Sequence, residues 1–195
     1  MQQSLIEKAA GRLRSAQRAV VALAQADELY NQYDHWVEFL VAWKGVYSQL
    51  QQAAKSTPQE MQWFGKINAE RKKDTLLMYL YEARNDEEHG TNASVNVLPG
   101  KAKIKIEHDV RFSNIKIEDD SLFLVDEQGK VVHGPTPISK PLLLLKPVLA
   151  RGDRVIKPPH VYDGKPIIPN PLTVAQIGLQ YAETLFSRAL EMHGT

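Results

Sequence analysis

The stretch DTLLMYLYEARNDEEHG, residues 74–90, carries a clear helical pattern and, at its end, the most chemically specific cluster in the chain. Its apolar side chains recur at the three- and four-residue spacing of one helix face: Leu76, Leu77, Leu80, Tyr81 and Ala83. This spacing predicts a helix over Asp74–Glu88. Because glycine adopts the left-handed conformation at little cost, His89-Gly90 predicts where that helix ends.

The residues before this stretch also predict helices. Apolar residues at helical spacing indicate a long first helix from Ile6 to Ala24. A second apolar face runs from Trp36 to Leu50, and Asn31 is a plausible N-terminal cap for that helix. Thr57-Pro58-Gln59-Glu60 combines a capping box with a proline in the first turn, which predicts a shorter connecting helix over Met61–Lys73.

Residues 94–168 have a different character, with alternating apolar residues, many prolines and repeated turn signals. Ile104 alternates with Ile106, and Ile115 and Ile117 precede the turn signal Asp119-Asp120. Prolines exclude long helices here. The pattern predicts a small antiparallel sheet or a set of hairpins.

Helical spacing returns after this region, where Thr173-Val174-Ala175-Gln176 again has the capping-box pattern. The apolar face of a terminal helix is most economically buried against the N-terminal helices. We therefore predict a mainly α fold in a single domain, 1–195. Residues 1–92 form the helical core, 94–168 a β-rich insertion, and 172–193 the C-terminal helix that returns to the bundle.

Composition excludes several classes of protein. The 195 residues contain no cysteine, which rules out disulfides, thiolate catalysis and cysteine-based zinc sites and favours a reducing compartment. Residues 1–8 lack the pattern of a signal peptide. The longest apolar run, Leu142–Leu145, is far shorter than the roughly 20 residues that a membrane span needs. These features predict a cytoplasmic protein without a membrane partner.

The net charge of +1 bears on nucleic-acid binding. Generic duplex binders usually carry a basic face and a high isoelectric point. A role on nucleic acid would therefore have to rest on a local site.

The polar residues Arg84, Asn85 and His89 form the candidate catalytic site. At about 100° per residue, Asn85 and His89 lie roughly 40° apart around the helix, and the long side chain of Arg84 can converge with them. A guanidinium matches two phosphate oxygens, an imidazole titrates near neutrality, and an amide can hold a hydroxyl or orient the imidazole. Together these groups suit transesterification of RNA without a metal.

A structural interpretation of the same residues stands beside the functional one. Arg84 and Glu88 are four residues apart and could form a surface ion pair, and His89 could simply complement the helix C-terminus. Asp86, Glu87 and Glu88 crowd a helix end that disfavours negative charge. Nothing in the local sequence explains these three acids.

An arginine, a polar residue and then a histidine after a short spacer, late in a long helix of a small bundle, resemble the HEPN superfamily. Arg84, Asn85 and His89 stand at those positions with an accepted spacing, and the resemblance covers residues 1–90 and the last helix. It implies a HEPN-like helical bundle in which His89 is the acid/base, Arg84 the phosphate ligand and Asn85 a positioning residue. The β-rich insertion departs from a minimal chain of that family.

The resemblance also implies an activity and partners. Many HEPN proteins are metal-independent endoribonucleases of toxin–antitoxin or phage-defence systems, and they commonly dimerise so that two motifs face each other. Single-stranded RNA, a second copy of the chain and a cognate antitoxin protein are the expected partners, and no cofactor is expected. Some members have lost catalysis and act as protein- or nucleotide-binding modules, which is the alternative function.

The second helix supplies further candidates. Because this helix neighbours the motif helix in HEPN bundles, the resemblance implies that Asp34, Lys44 and Tyr47, together with Glu88, contact RNA or support the catalytic residues. Against this, Tyr47 shares the apolar face and fits the core, and Lys44 can extend past that face to water.

Metal binding is the rival chemistry. The pairs Asp34-His35 and Glu88-His89 offer nitrogen and oxygen ligands. No His-x-x-x-His or Glu-x-x-His spacing occurs, so we predict no metal site.

Overall fold

A computed structural model describes residues 1–90, 93–106, 110–150, 152 and 154–194. The predicted helical core and β-rich insertion thus include a few residues outside the described ones, namely 91, 92, 107–109, 151 and 153. The described residues form five helices: α1 (Gln3–Gln25), α2 (Leu29–Ala53), α3 (Pro58–Lys73), α4 (Thr75–His89) and α5 (Pro171–Gly194). The prediction of a mainly α fold with small antiparallel β elements is confirmed.

Nine short strands lie between α4 and α5 in the described residues. They are β1 (Val95–Leu98), β2 (Asn114–Glu118), β3 (Ser121–Val125), β4 (Val131–Pro137), β5 (Leu142–Leu145), β6 (Val148–Ala150), β7 (Arg154–Ile156), β8 (Val161–Tyr162) and β9 (Lys165–Pro166). The chain divides into two compact units. Unit 1 comprises Met1–Asn96 and Leu143–Thr195, and unit 2 comprises Val97–Leu142. The last part of the predicted insertion, residues 143–168, thus belongs to the unit that holds the helices.

Two helix starts follow the local sequence closely. The backbone N–H of Glu60 donates to Thr57 Oγ1 at 3.2 Å, and the N–H of Thr57 donates to Glu60 Oε2 at 3.1 Å. This is the predicted capping box, and α3 accordingly begins at Pro58. Asp74 caps α4, because its Oδ1 accepts from the Leu77 N–H at 2.9 Å.

Two predicted caps are wrong. Asn31 lies inside α2, since the Gln32 N–H already donates to the Glu28 carbonyl at 3.0 Å and the helix begins at Leu29. Thr173 lies inside α5, because Asn170 Oδ1 accepts its N–H at 2.7 Å and the helix begins at Pro171. In both cases the helix starts two residues before the position that the local pattern favours.

Gly90 ends α4 for a different reason from the one predicted. Its φ of −83° and ψ of 167° are extended, so no left-handed conformation is used. Its N–H donates to the Asp86 carbonyl at 2.6 Å, and a Cβ at this position would collide with Asp86. Glycine is therefore required here by close approach to Asp86 and not by a positive φ.

The core of unit 1 is built where α2, α4 and α5 meet. Trp36, Phe39, Trp43 and Leu80 are at most 2 % exposed. A Cβ at Gly178 of α5 would lie 2.5 Å from Leu80 Cδ1 and 3.2 Å from Phe39 Cζ, so the helices approach closely at this glycine. The Gly178 carbonyl accepts the Trp43 Nε1–H at 2.9 Å, which satisfies a buried donor. Helix α1 covers the other side of α2 and α5.

Short antiparallel pairs complete unit 1. Strands β6 and β7 pair from Val148–Ile156 to Ala150–Arg154, and the buried Val148 and Ile156 join the core beside α4. Strands β8 and β9 form a tight hairpin around Asp163-Gly164, both with positive φ. Strands β1 and β5 also pair with each other.

Unit 2 is a three-stranded antiparallel meander in the order β2-β3-β4. Ile115 pairs with Leu124 and Ile117 with Leu122 across the turn at Asp119-Asp120, whose φ angles of 47° and 55° suit a tight hairpin. The predicted alternation at Ile104–Ile106 forms no strand, although these residues are described.

Within the described residues, no helix is long and apolar enough to cross a membrane.

The segment after α4 is anchored through Ser94, which is fully buried. Its Oγ accepts the Trp36 Nε1–H at 2.9 Å, and its N–H donates to Glu87 Oε1 at 2.5 Å. The Ser94 carbonyl accepts the Lys146 N–H at 2.9 Å, and Tyr79 donates its hydroxyl to the Lys146 carbonyl at 2.9 Å. These bonds tie the end of α4 to α2 and to the chain beyond β5.

We predict that Ser94→Ala lowers the free energy of unfolding by about 1–3 kcal/mol, because it leaves the buried Trp36 N–H without an acceptor. Urea denaturation followed by tryptophan fluorescence measures the change. Ser187→Ala, at an exposed position of α5, is the matched control and should change stability by less than about 0.5 kcal/mol. Equal stabilities of the two variants would refute this role for Ser94.

Candidate functional site

Arg84, Glu88 and His89 converge at the C-terminal end of α4. Arg84 Nη2 donates to Glu88 Oε1 at 2.7 Å, and Arg84 Nη1 forms an ion pair with Glu88 Oε2. The imidazole Nε2 of His89 lies 3.3 Å from the same Oε2. One anionic oxygen is therefore shared by a guanidinium and an imidazole.

The three side chains differ in exposure. The Arg84 side chain is 21 % exposed, whereas those of Glu88 and His89 are 44 % and 73 % exposed. Arg84 is thus held against the bundle while His89 projects into solvent. A ligand that displaced the Glu88 carboxylate would meet a fixed guanidinium and an accessible imidazole.

Asn85 extends this cluster toward α2. Lys44 Nζ donates to Asn85 Oδ1, and Asn85 Nδ2 donates to Glu82 Oε2 at 3.0 Å. Burial, followed by the positive charge of Arg84, lowers the pKa of Lys44, while the carboxylate of Glu82 opposes the shift. Lys44 and Arg84 therefore lie close enough for their charges to interact. Asn85 follows Arg84 in the chain and is hydrogen-bonded to Lys44.

The acids that the local sequence leaves unexplained have structural partners. Asp86 is buried, and its Oδ2 accepts the Leu149 N–H of β6 at 3.4 Å. Glu87 accepts the Tyr33 hydroxyl at 2.6 Å and the Ser94 N–H. With Glu88 paired to Arg84, each of the three carboxylates at this helix end is bonded to another group.

Asp34 and Tyr47 occupy other surroundings. Burial, the hydrogen bond to Glu87 and the charges of Glu87 and Asp34 raise the pKa of Tyr33, next to Asp34 in the chain. Tyr47 is buried, and its hydroxyl donates to Asn68 Oδ1 at 3.1 Å. Of the predicted supporting residues, Lys44 and Glu88 contact the motif directly.

Arg71 is a charged residue of this region that sequence reasoning missed. It ends α3 beside Lys72 and Lys73, in a basic last turn typical of a solvated helix C-terminus. In the fold it is only 7 % exposed, and its guanidinium carbon lies 3.9 Å from the Tyr81 ring centroid. Lys44 Nζ lies 4.6 Å from the centroid of the same ring.

A search of the described residues for three or more histidine, aspartate or glutamate side chains placed to hold a metal ion finds no such group. Comparison of the chain with protein-family models, with curated proteins and with solved structures finds no match.

Proposed function

We propose that this chain is a HEPN-like, metal-independent endoribonuclease that cleaves single-stranded RNA through Arg84, Asn85 and His89. The observation that carries the proposal is the sharing of Glu88 Oε2 by Arg84 and His89, at 3.3 Å for the imidazole. In the RNA complex a nonbridging phosphate oxygen replaces that carboxylate oxygen. The guanidinium then binds the scissile phosphate while the imidazole lies beside the reacting atoms.

The proposed reaction is transesterification. His89 takes the proton of the 2′-hydroxyl, the 2′-oxygen forms a bond to phosphorus, and the bond between phosphorus and the 5′-oxygen breaks. The leaving 5′-oxygen takes up a proton, so the products are a 2′,3′-cyclic phosphate and a 5′-hydroxyl. Arg84 stabilises the charge that develops on the phosphoryl oxygens, and Asn85, held by Lys44 and Glu82, positions the neighbouring groups.

A homodimer suits this reaction. The base that activates the 2′-hydroxyl and the acid that protonates the leaving oxygen act on opposite sides of the phosphorus, so one imidazole does not serve both at once. A second copy of the chain would supply a second His89. The 73 % exposure of the His89 side chain leaves it available for a site shared between two copies.

The proposal is tested by incubating the full chain with 5′-labelled single-stranded RNA in excess EDTA. The expected result is cleavage to fragments that end in a 2′,3′-cyclic phosphate, with no cleavage of the same sequence as DNA. Loss of cleavage in EDTA, restored by a divalent metal, would contradict the metal-independent reaction. Absence of cleavage across a range of RNA sequences would contradict the activity itself.

Glu88→Gln should raise the affinity for RNA, because the Glu88 carboxylate competes with phosphate for Arg84. Both partners are partly exposed, so the pair is worth less than about 1 kcal/mol and the expected fall in KM is about two- to fivefold. Glu70→Gln is the matched control, because Glu70 pairs with Arg188 at 3.4 Å and is 48 % exposed. A KM for Glu88→Gln that equals that of the control would show that Glu88 does not compete with RNA.

The same contact also supports a second candidate function. Glu88 already satisfies two guanidinium nitrogens of Arg84, so the arginine is held in an ion pair and is not left open to a scissile phosphate. In that case the bundle is a catalytically inactive HEPN-type module for a protein or nucleotide. RNA or nucleotide binding without cleavage, or a stable complex with a co-purifying antitoxin-like protein, would identify this function.

A further inference from the structure

Arg71 is a buried cation without a counter-ion among the described residues. It is 7 % exposed, its Nη2 donates to Asn68 Oδ1 at 3.1 Å, and its buried Nε has no hydrogen-bond partner within the described ranges. None of the ion pairs formed by the described part of the chain includes it. Buried charges are normally paired because removal of an ion from water is costly, so an unpaired guanidinium points to a missing anion.

A second cation faces the same ring. Lys44 Nζ lies 4.6 Å from the Tyr81 centroid and Arg71 Cζ lies 3.9 Å from it, while Tyr47 lies 5.6 Å from Arg71 Cζ. Aromatic faces offset only part of the cost of burying a cation. Lys44 is held by the amide of Asn85, so neither positive charge has a directly bonded negative partner among the residues that the structure describes.

The residues around these cations also include neutral polar groups, and several of them are partly exposed. Lys44, Asn68 and Tyr81 are partly exposed, with the buried Arg71 beneath them. The Tyr47 hydroxyl and the Asn68 amide meet at 3.1 Å beside Arg71. An anion bound between Lys44 and Arg71 would contact an ammonium and a guanidinium, with the polar groups of Tyr47 and Asn68 nearby.

We propose that Lys44 and Arg71, with Tyr47 and Asn68, bind a phosphate monoester group beside the Arg84–His89 pair, to which Lys44 is linked through Asn85. A monoester is favoured over a diester because its dianion neutralises both cations, whereas a diester phosphate carries a single charge. Its terminal oxygens also suit the planar donors of arginine together with the compact ammonium of lysine. The group comes either from the end of an RNA chain or from a free nucleotide. The site does not require that the chain cleave RNA.

Calorimetric titration of the full chain with inorganic phosphate, at constant ionic strength in chloride, tests the site. The wild type should bind, and phosphate should raise its thermal midpoint. Arg71→Met and Lys44→Met should each weaken binding by about tenfold or more, because each removes a charge-assisted contact. Lys72→Met, which removes an exposed charge next to Arg71, should bind phosphate like the wild type.

Stability without phosphate separates a binding site from a structural arginine. An unpaired buried cation should cost stability, so phosphate-free Arg71→Met should melt at or above the wild-type temperature. If Arg71→Met does not fold, Lys44→Met still decides the question through its affinity for phosphate. The proposal is overturned if phosphate fails to bind the wild type, or if Lys44→Met binds it as tightly as the wild type.

The source of the phosphate is decided by comparing three probes. A 5′-phosphorylated RNA oligonucleotide, the same oligonucleotide with a 5′-hydroxyl, and adenosine 5′-monophosphate are titrated into the wild type and Lys44→Met. Tighter binding of the phosphorylated than of the hydroxyl oligonucleotide, lost in Lys44→Met, indicates an RNA end. Lys44-dependent binding of the mononucleotide alone indicates a free nucleotide. Equal binding of all three probes by the two proteins would refute the site.

Discussion

Replacement of His89 by alanine should lower kcat/KM for single-stranded RNA by at least about a hundredfold, the usual effect of removing a general acid or base. The reason is geometric, since His89 Nε2 and Arg84 reach the same anionic oxygen. The His89 side chain is 73 % exposed, so its removal should change the free energy of unfolding by less than about 0.5 kcal/mol. Initial cleavage rates and a urea denaturation curve, measured on the same preparation, separate the two effects.

The matched control is His160→Ala. His160 is also exposed, and it lies in the segment before β8, away from α4 in sequence. This variant should retain wild-type cleavage. If His89→Ala cleaves RNA as fast as His160→Ala, the imidazole of His89 has no part in the reaction.

Leu80→Ala should cause the largest loss of stability among the changes considered, about 2–5 kcal/mol. Leu80 is fully buried, and it packs at the point where Gly178 brings α5 close to α4. Truncation removes apolar contacts and leaves a cavity that a rigid helix crossing does not fill. Urea denaturation followed by the fluorescence of the buried Trp36 and Trp43 measures the change.

Leu190→Ala provides the comparison, because Leu190 lies on α5 but is 46 % exposed. Its expected loss is below about 1 kcal/mol, since little apolar area returns to water. Similar losses for the two leucine variants would mean that α4 does not pack on α5 as described. The position of Arg84, Asn85 and His89 relative to the other helices would then need another explanation.

The helices could be predicted because their signals are local. The Thr57–Glu60 capping box joins residues three apart, and the apolar faces of α1, α2 and α4 repeat within each helix. Helices α2 and α5 begin at Leu29 and Pro171, each two residues before the predicted cap. The residue before α2 is Glu28, which makes no capping bond, and the residue before α5 is Asn170, which precedes a proline. Gly90 marks the helix end as predicted, but glycine is required there because a Cβ would collide with both the side chain and the carbonyl of Asp86.

The candidate site was predictable only in part, for the same reason. The Arg84–Glu88 pair follows from i,i+4 spacing on one helix. The partners of Asp86 and Glu87 are Leu149 and Tyr33, which stand 63 and 54 residues away along the chain. No local pattern contains such contacts, and without them the acids looked unfavourable at a helix end.

The burial of Arg71 is a further feature that no local sequence pattern predicts. In sequence it belongs to a run of three cations that complements a helix C-terminus. Its burial comes from Tyr81 on α4 and Tyr47 on α2, which only the packing of three helices brings together. Only the folded chain therefore reveals that one of the three cations is buried and has no counter-ion in the part of the chain that the structure describes.

The central claim is that Arg84 and His89 bind one phosphate of RNA together. The most direct test is an NMR titration of the wild type with a single-stranded oligonucleotide carrying 2′-deoxy groups, which binds but lacks the attacking hydroxyl. The His89 imidazole and the Arg84 guanidinium signals should shift with the same dissociation constant, and the His89 shift should disappear in Arg84→Met. A His89 signal that stays in place while the oligonucleotide binds, or that shifts equally in Arg84→Met, would contradict the shared phosphate.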